Sequence, residues 1–334
     1  MASFIQLLVS GLATGAIYAL IAVGFTLLWQ TSQTINFAQG EFVMLPAFFV
    51  LAAMNAGAPF WLACLIGIAL SIVILGVLFK LIIVDPMLKY GVLPLVISTI
   101  ALSLFLKESA KDFYSSQAQP FPALVPATDI HFLDAVVSTQ SLAVLAVAIL
   151  TVAGLSILLN KTRLGRQMQA TAQNPTLARI LGIPVQRMVL YTFLLNAVLV
   201  AIASILVSPI YLAKFTNGET LGMAAFIAAI IGGFNQVRGA ILGGLILGVL
   251  DNLSAAYISS QYRGAFPLII LIAVILLRPR ACWGGSRSAR YDAPRHRGRR
   301  ARYRCGNRRA VFPQALRHFP HLDLGGPDHR GDRP

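Results

Sequence analysis

The stretch KTRLGRQMQATAQNPTLARILGIPVQRM, residues Lys161–Met188, is a polar interruption between apolar runs each long enough to cross a bilayer, and its reading orients the whole chain. It carries Lys161, Arg163, Arg166, Arg179 and Arg187 and no acidic residue. Basic loops stay on the cytoplasmic side of a membrane. Within it Asn174 is a good N-cap, Pro175 suits the first helical position, and Gly182 followed by Pro184 ends the helix about two turns later. A short cytosolic helix bounded at both ends is expected. A buried core helix would be apolar on one face, and a plain connector would not be capped at both ends. The segment therefore reads as a surface presented to another protein.

Working outward, the chain is 57% hydrophobic and only 12% charged, far outside the range of soluble globular domains. It reads as an all-α polytopic membrane protein. With roughly 20 apolar residues needed per span, the candidates are Phe4–Trp29, Gln39–Met54, Phe60–Val84, Val92–Phe105, Ser141–Leu159 and Val189–Leu212. Leu221–Gly233 and Gly239–Ile258 form either two short spans or a broken hairpin, and Phe266–Leu277 begins the last crossing. About eight transmembrane helices are expected, with nine as the alternative. The first segment has no positive residue before it and no small-residue cleavage site after a short apolar core, so it reads as a retained span rather than a signal peptide.

Residues 1–280 hold fourteen Lys and Arg. Placing the 80–90 loop, the 161–188 loop, Arg238 and Arg278/Arg280 in the cytoplasm puts ten of them there, with Lys107, Lys111, Lys214 and Arg263 opposite. Lys111–Thr139, with Pro120, Pro122 and Pro126, becomes the main external loop. An external N-terminus follows if the first three crossings are complete.

The chain changes character after residue 280. Residues 281–334 hold thirteen Arg and no Lys, four of the five His, and +9 of the +15 net charge. Two readings stay open: a disordered, solvated basic tail drawn to anionic lipid or nucleic acid, or the out-of-frame product of a GC-rich gene. Neither supports inferring nucleic-acid binding from the charge. The expected organisation is a transmembrane domain over 1–280 and a separate tail over 281–334.

Close-packing glycine pairs, Gly11/Gly15, Gly239/Gly243 and Gly244/Gly248, suit helix association in lipid. Ile231–Gly248, IGGFNQVRGAILGGLILG, adds Asn235, Gln236 and Arg238 to paired glycines, as in a broken helix lining a cavity. The sharper motif is INFAQGEF, Ile35–Phe42, where Glu41 sits at a span boundary beside Asn36, Gln39 and Gly40. An ionisable group there marks a functional region unless it is only a first-turn acid favoured by the helix dipole. On position alone the second reading is preferred. Asp251 poses the same choice, with a satisfied end-of-span acid as the plain reading.

Cys64 lies in an apolar span as a small hydrophobe, and Cys282 and Cys305 lie in the tail; no metal-ligand or disulfide pattern emerges. The chain lacks a G-x-x-x-x-G-K-[ST] phosphate loop, and His131 is the sole histidine before the tail, so no ATP site, catalytic set, metal or cofactor is expected. Acids are too sparse for a proton relay.

GAIYALIAVGFTLLW (Gly15–Trp29), INFAQGEFVML (Ile35–Leu45), TRLGRQMQATAQNPTLARILGI (Thr162–Ile183) and AAFIAAIIGGFNQVRGAILGGLILGVLDNL (Ala224–Leu253) together resemble the first permease subunit of the branched-chain amino acid ABC importers. The resemblance covers essentially all of residues 1–280. It implies a non-enzymatic, multi-pass protein of the bacterial inner membrane. The implied partners are a second, related permease, two cytoplasmic ATPase subunits and a periplasmic solute-binding protein. It leaves the solute open, since similar permeases move urea, short amides or aromatic amino acids.

Gly165–Ile183 resembles the family's coupling region, which assigns the ATPase contact to Gly165, Arg166, Ala170, Asn174, Ala178, Leu181 and Gly182. Gln173-Asn174 departs from relatives that carry acidic residues there, which puts an acidic contact in doubt. The family normally stops shortly after LLRPR, Leu276–Arg280. Candidate residues for the translocation path are Asn36, Gln39, Gly40, Glu41, Gly232 and Gly233. Two rival readings are an autonomous channel or secondary transporter, and a membrane assembly protein. Neither needs a capped cytosolic docking helix.

Overall fold

Nine apolar segments were expected to be helical, and all nine are. The computed structural model describes residues 2–114, 117–125, 129–132, 135–258 and 265–277. The basic tail, Arg263 and the Arg278/Arg280 end lie outside the described residues. In chain order the helices are α1 (Ala2–Ser32), α2 (Gln39–Asn55), α3 (Phe60–Ser71), α4 (Asp85–Leu88), α5 (Val92–Tyr114), α6 (Thr139–Lys161), α7 (Arg163–Gln173), α8 (Pro175–Ile180), α9 (Val185–Tyr211), α10 (Asn217–Gly232), α11 (Val237–Tyr257) and α12 (Phe266–Leu277). Among the described residues six helices are long and apolar enough to cross a membrane, α3 and α4 counting as parts of one, Phe60–Leu88; Gln39–Asn55 and Asn217–Gly232 are shorter apolar helices.

The rod Phe60–Leu88 passes through two π-helical stretches, Ile72–Leu78 and Lys80–Val84. The wider turn lies where Gly76 lets the rod pack against Leu194 and Ala197 of α9. Lys80, counted with the 80–90 loop although it falls within the expected span Phe60–Val84, lies in this rod with its ammonium 2.7 Å from Asp85. α5 likewise runs past the expected end at Phe105 to Tyr114, because its terminal charges find partners: Lys111 meets Glu108 at 3.2 Å and Lys107 meets Glu219 at 2.7 Å.

α1 is the central post. Gly11 and Gly15 pack on the Gly244–Val249 backbone of α11, and Ala19 lies against Gly244. The two small-residue stripes seen in the sequence thus close on each other, which is how helices associate where lipid removes the hydrophobic driving force. Asp251 is buried at this seam and accepts from the Tyr18 hydroxyl at 3.2 Å, the satisfied-acid reading. The Gly232–Gly239 contact closes α10 and α11 into a hairpin, and Gly233, at φ +84°, makes its turn. The Ile231–Gly248 segment is therefore two helices joined by a tight turn.

Pro46 sits inside α2 and breaks its hydrogen-bond ladder; the next amide, Ala47 N–H, is satisfied by Ser204 Oγ of α9 at 3.0 Å. The external loop is shorter than the sequence suggested and is not wholly irregular. It contains an antiparallel hairpin, β1 (Asp129–Phe132) with β2 (Ala135–Ser138), and Gln119 exchanges backbone hydrogen bonds with Ala213 at 2.9 and 3.0 Å. Both partners belong to segments assigned to one side of the membrane, and the pairing holds those two segments together. Exposed apolar side chains dominate α5 and α6, among them Leu93, Ile97, Phe105, Ile149 and Leu150.

Candidate functional site

Two short helices, α2 and α10, each start a few residues after a preceding helix ends at a residue with positive φ. α1 ends at Ser32, where Gln33 takes φ +53°, and α9 ends at Tyr211, where Leu212 takes φ +64°. These are the two non-glycine residues with positive φ among those described, a conformation that turns the chain sharply and that bulky residues adopt only under constraint. After the first turn, Asn36 Oδ1 accepts the Ala38 amide at 3.0 Å and α2 starts at Gln39. After the second, α10 starts at Asn217.

The first turns of α2 and α10 meet face to face. Gly40 packs against the Gly218 backbone and against Gly222, and a Cβ at any of the three would collide with its neighbour. From there α2 follows α9, with Gln39 beside Asn196 and Ala47 beside Ser204. α10 follows α1, with Phe226 5.6 Å from Phe25 and Phe234 5.5 Å from Trp29. The helix starts share a sequence pattern, Phe37-Ala-Gln-Gly-Glu41 and Phe215-Thr-Asn-Gly-Glu219. This Phe-x-amide-Gly-Glu repeat is present in the chain but invisible to helix-packing intervals, since its two glycines lie 178 residues apart.

At the junction lies a cavity of about 350 Å³. Its apolar wall includes Phe25, Ile35, Phe37, Met223 and Phe226, and its polar lining is Glu41, Ser103, Lys107 and Glu219. Glu41 is 3% exposed; its Oε1 accepts from Ser103 Oγ at 3.5 Å, while Oε2 is buried against Gly218 with no hydrogen-bond partner. Lys107, from α5, holds Glu219 at 2.7 Å near the rim, where Glu219 is mostly exposed. The cavity therefore contains two carboxylates and one ammonium.

Of the path residues expected from sequence, Gly40 and Glu41 line this cavity. Gln39 is fully buried behind it, exchanging two hydrogen bonds with Asn196 at 2.7 and 3.0 Å. Asn36 lines a much smaller neighbouring pocket, and Gly232 and Gly233 lie at the far end of α10 in the hairpin turn. Lys107, Ser103 and Glu219 were not singled out. Lys107 and Ser103 reach the site only through the packing of α5, and local sequence carries no trace of that.

The segment Lys161–Met188 forms two helices rather than one. Thr162 Oγ1 caps α7 by accepting from Gly165 N–H at 3.0 Å; Asn174 Oδ1 caps α8 by accepting from Thr176 and Leu177 at 3.1 and 3.0 Å. Gly182, at φ +78°, ends α8, with Ile183 N–H bonded to Ala178 O at 2.9 Å and Gly182 N–H to Arg179 O at 3.0 Å. α7 is polar overall but buries one face, with Gly165, Met168 and Thr171 at helical spacing, a pattern present in the sequence. Arg166, Asn174, Leu181 and Gly182 are exposed, Ala170 is half-buried, and Gly165 and Ala178 face inward, Gly165 against the backbone of Leu158 and Leu159. Leu177, Ile180 and Leu181 form an exposed apolar patch on α8.

Residues 7–275 match the family described as branched-chain amino acid transport system / permease component. The chain is 31% identical to the high-affinity branched-chain amino acid permease protein BraD of Pseudomonas aeruginosa, over 84% of this chain and 96% of that protein. It is 32% identical to LivH of Escherichia coli with the same coverage. A more distant likeness, 27% identity over 80% of this chain and 81% of the relative, is to the fructose import permease FruG of Bifidobacterium longum. No solved structure matches the chain. By the family match and by these relatives, which are transport components, the chain belongs to the family of branched-chain amino acid transport system permease components.

Proposed function

We propose that this chain is the membrane-spanning permease subunit of an ATP-driven importer for branched-chain or related hydrophobic amino acids in the bacterial inner membrane. The observation that carries this reading is the match across residues 7–275, joined to about one-third identity with two branched-chain amino acid permeases along nearly their whole length. The chain works with a second, related permease, two cytoplasmic ATPases and a periplasmic solute-binding protein. ATP-driven closure of the ATPase pair pushes on α7 and α8, and the helices tilt to open the path on alternate sides. The exposed Leu177, Ile180 and Leu181, with Arg166, Asn174 and Gly182, suit the ATPase contact; Ala170, Gly165 and Ala178 hold the two short helices in position. The path runs past Gly40 and Glu41, with Asn36 and Gln39 supporting the start of α2 and Gly232–Gly233 forming the hinge of the α10–α11 hairpin. The transport unit is residues 1–280, with 281–334 as an appendage; the family match ending at residue 275 supports that boundary.

Affinity purification from the native membrane tests the assembly, and uptake of labelled leucine tests the solute. Recovery of two ATPases and a second permease, with leucine uptake that needs ATP, is the expected result. Transport by this chain alone under an ion gradient would overturn the importer reading, and uptake of urea or fructose in place of leucine would overturn the solute.

A further inference from the structure

The repeat at the two helix starts belongs to a larger one. The series α1, α2, the Phe60–Leu88 rod and α5 is matched by α9, α10, α11 and α12, with every direction reversed. α1 and α9 are antiparallel: Gly24 of α1 lies against Asn196, while Leu28 and Ser32, further along α1, share a small pocket with Phe193. α2 runs parallel to α9, with Gln39 at Asn196 and Ala47 at Ser204, and α10 runs parallel to α1, with Phe226 at Phe25 and Phe234 at Trp29. Each short helix turns back at a glycine of positive φ, Gly57 after α2 and Gly233 after α10. The rod then packs on α9 through Gly76, and α11 packs on α1 through Gly244 and Gly248. α5 lies against α2 as α12 lies against α10. An offset of 178 residues relates Phe37 to Phe215, Gly40 to Gly218, Glu41 to Glu219 and Phe48 to Phe226. This is an inverted repeat. Because Gln39 meets Asn196 near the middle of α9 and Gly40 meets Gly218, α2 and α10 both start at mid-depth and run to opposite faces.

The two halves share a plan and differ in conformation. Beside α10 lies the cavity of about 350 Å³, with Met223 and Phe226 in its wall and Met223 49% exposed. At the matching positions of α2, Leu45 is 8% and Phe48 1% exposed. We propose that the described conformation is one of two, and that the second exchanges the conformations of the halves: a pocket opens beside Leu45 and Phe48 as the one beside Met223 and Phe226 closes. The contact of Gly40 with Gly218 and Gly222 is the pivot, because backbones that meet without side chains tilt on each other without first disengaging interlocked groups. Packed halves of this kind switch between discrete arrangements rather than deforming continuously. Since α2 and α10 run to opposite faces, the two pockets open to opposite faces and never together. This rests on the alternating-access reading and deepens it by naming the parts that move.

The test uses the full chain in its native membrane, with Cys64, Cys282 and Cys305 replaced by Ser and single cysteines introduced at matched positions. In growing cells N-ethylmaleimide should modify Leu45→Cys at a rate within tenfold of Met223→Cys, and at least a hundredfold faster than Ile17→Cys, a position with no exposure in α1. A membrane-impermeant maleimide should reach Leu45→Cys and Met223→Cys from opposite faces, one in intact cells and the other in inside-out vesicles. In the double variant, modification at one position should slow modification at the other at least tenfold, read by mass spectrometry of singly and doubly labelled chain. Phe48→Cys with Phe226→Cys repeats each measurement, so a variant that fails to assemble does not decide the result. Leu45→Cys and Phe48→Cys as slow as Ile17→Cys, labelling of both pockets from one face, or independent labelling in the double variants overturns the exchange. Each of these leaves the importer reading standing, which ATP-dependent leucine uptake decides separately.

Discussion

Individual residues decide how closely the helices approach. At Gly222 a methyl group would meet the Gly40 backbone, whereas at Gly154, exposed on α6, it would meet nothing within 4 Å. Gly222→Ala should therefore destabilise the protein by about 1–3 kcal/mol through overpacking. Gly154→Ala should stabilise it by up to about 1 kcal/mol through helix propensity. Thermal unfolding in detergent should lower the midpoint for the first variant and leave it unchanged or raised for the second; equal shifts would disprove the close approach. The Gln39–Asn196 pair offers a second measurement. Each amide satisfies the other where no water reaches, so a double-mutant cycle to Ala should return a coupling near 1 kcal/mol, the scale found for hydrogen bonds between membrane helices. A coupling of zero would mean the pair is idle.

At the scale of elements, α8 is the piece whose local chemistry was fully legible. Asn174, Pro175 and Gly182 each stand where the sequence rules put a cap, a first position and a stop, and the hydrogen bonds follow. Removing the cap by Asn174→Ala should cost about 1 kcal/mol of local stability, seen as faster amide exchange confined to residues 175–183. The exposed patch on α8 makes a sharper prediction. Ile180→Asp with Leu181→Asp should leave the permease folded, since both side chains are outside the packed interior, yet reduce co-purifying ATPase at least tenfold. Undiminished recovery of ATPase would remove α8 from the contact. α7 left signals too, since Thr162 stands as a cap and Gly165, Met168 and Thr171 recur at helical spacing on its buried face.

For the whole molecule, the fourteen basic residues of 1–280 predict which ends of the helices face the cytoplasm, and the Gln119–Ala213 pairing ties together two segments predicted to lie on the opposite side. Cys64 is buried, so with Cys282 and Cys305 replaced by Ser the chain presents no accessible thiol among the described residues. A membrane-impermeant maleimide should then label Lys214→Cys in intact cells and should label Arg166→Cys only after the membrane is opened. The reverse pattern would invert the topology. Truncation after Arg280 should retain assembly and leucine uptake, and loss of both would make residues 281–334 part of the working unit. Sequence alone determined that the chain crosses a membrane repeatedly, where α8 starts and stops, and which family the chain belongs to. Each of these rests on local composition, or on motifs whose order along the chain carries the information. Only the tertiary structure decided that Glu41 is enclosed rather than a surface first-turn acid, that Lys107 and Glu219 share its cavity, and that Gly232–Gly233 is a turn away from it. Those facts depend on contacts between residues up to 178 positions apart, such as Gly40 with Gly218, and no local pattern encodes which distant backbone a glycine will meet.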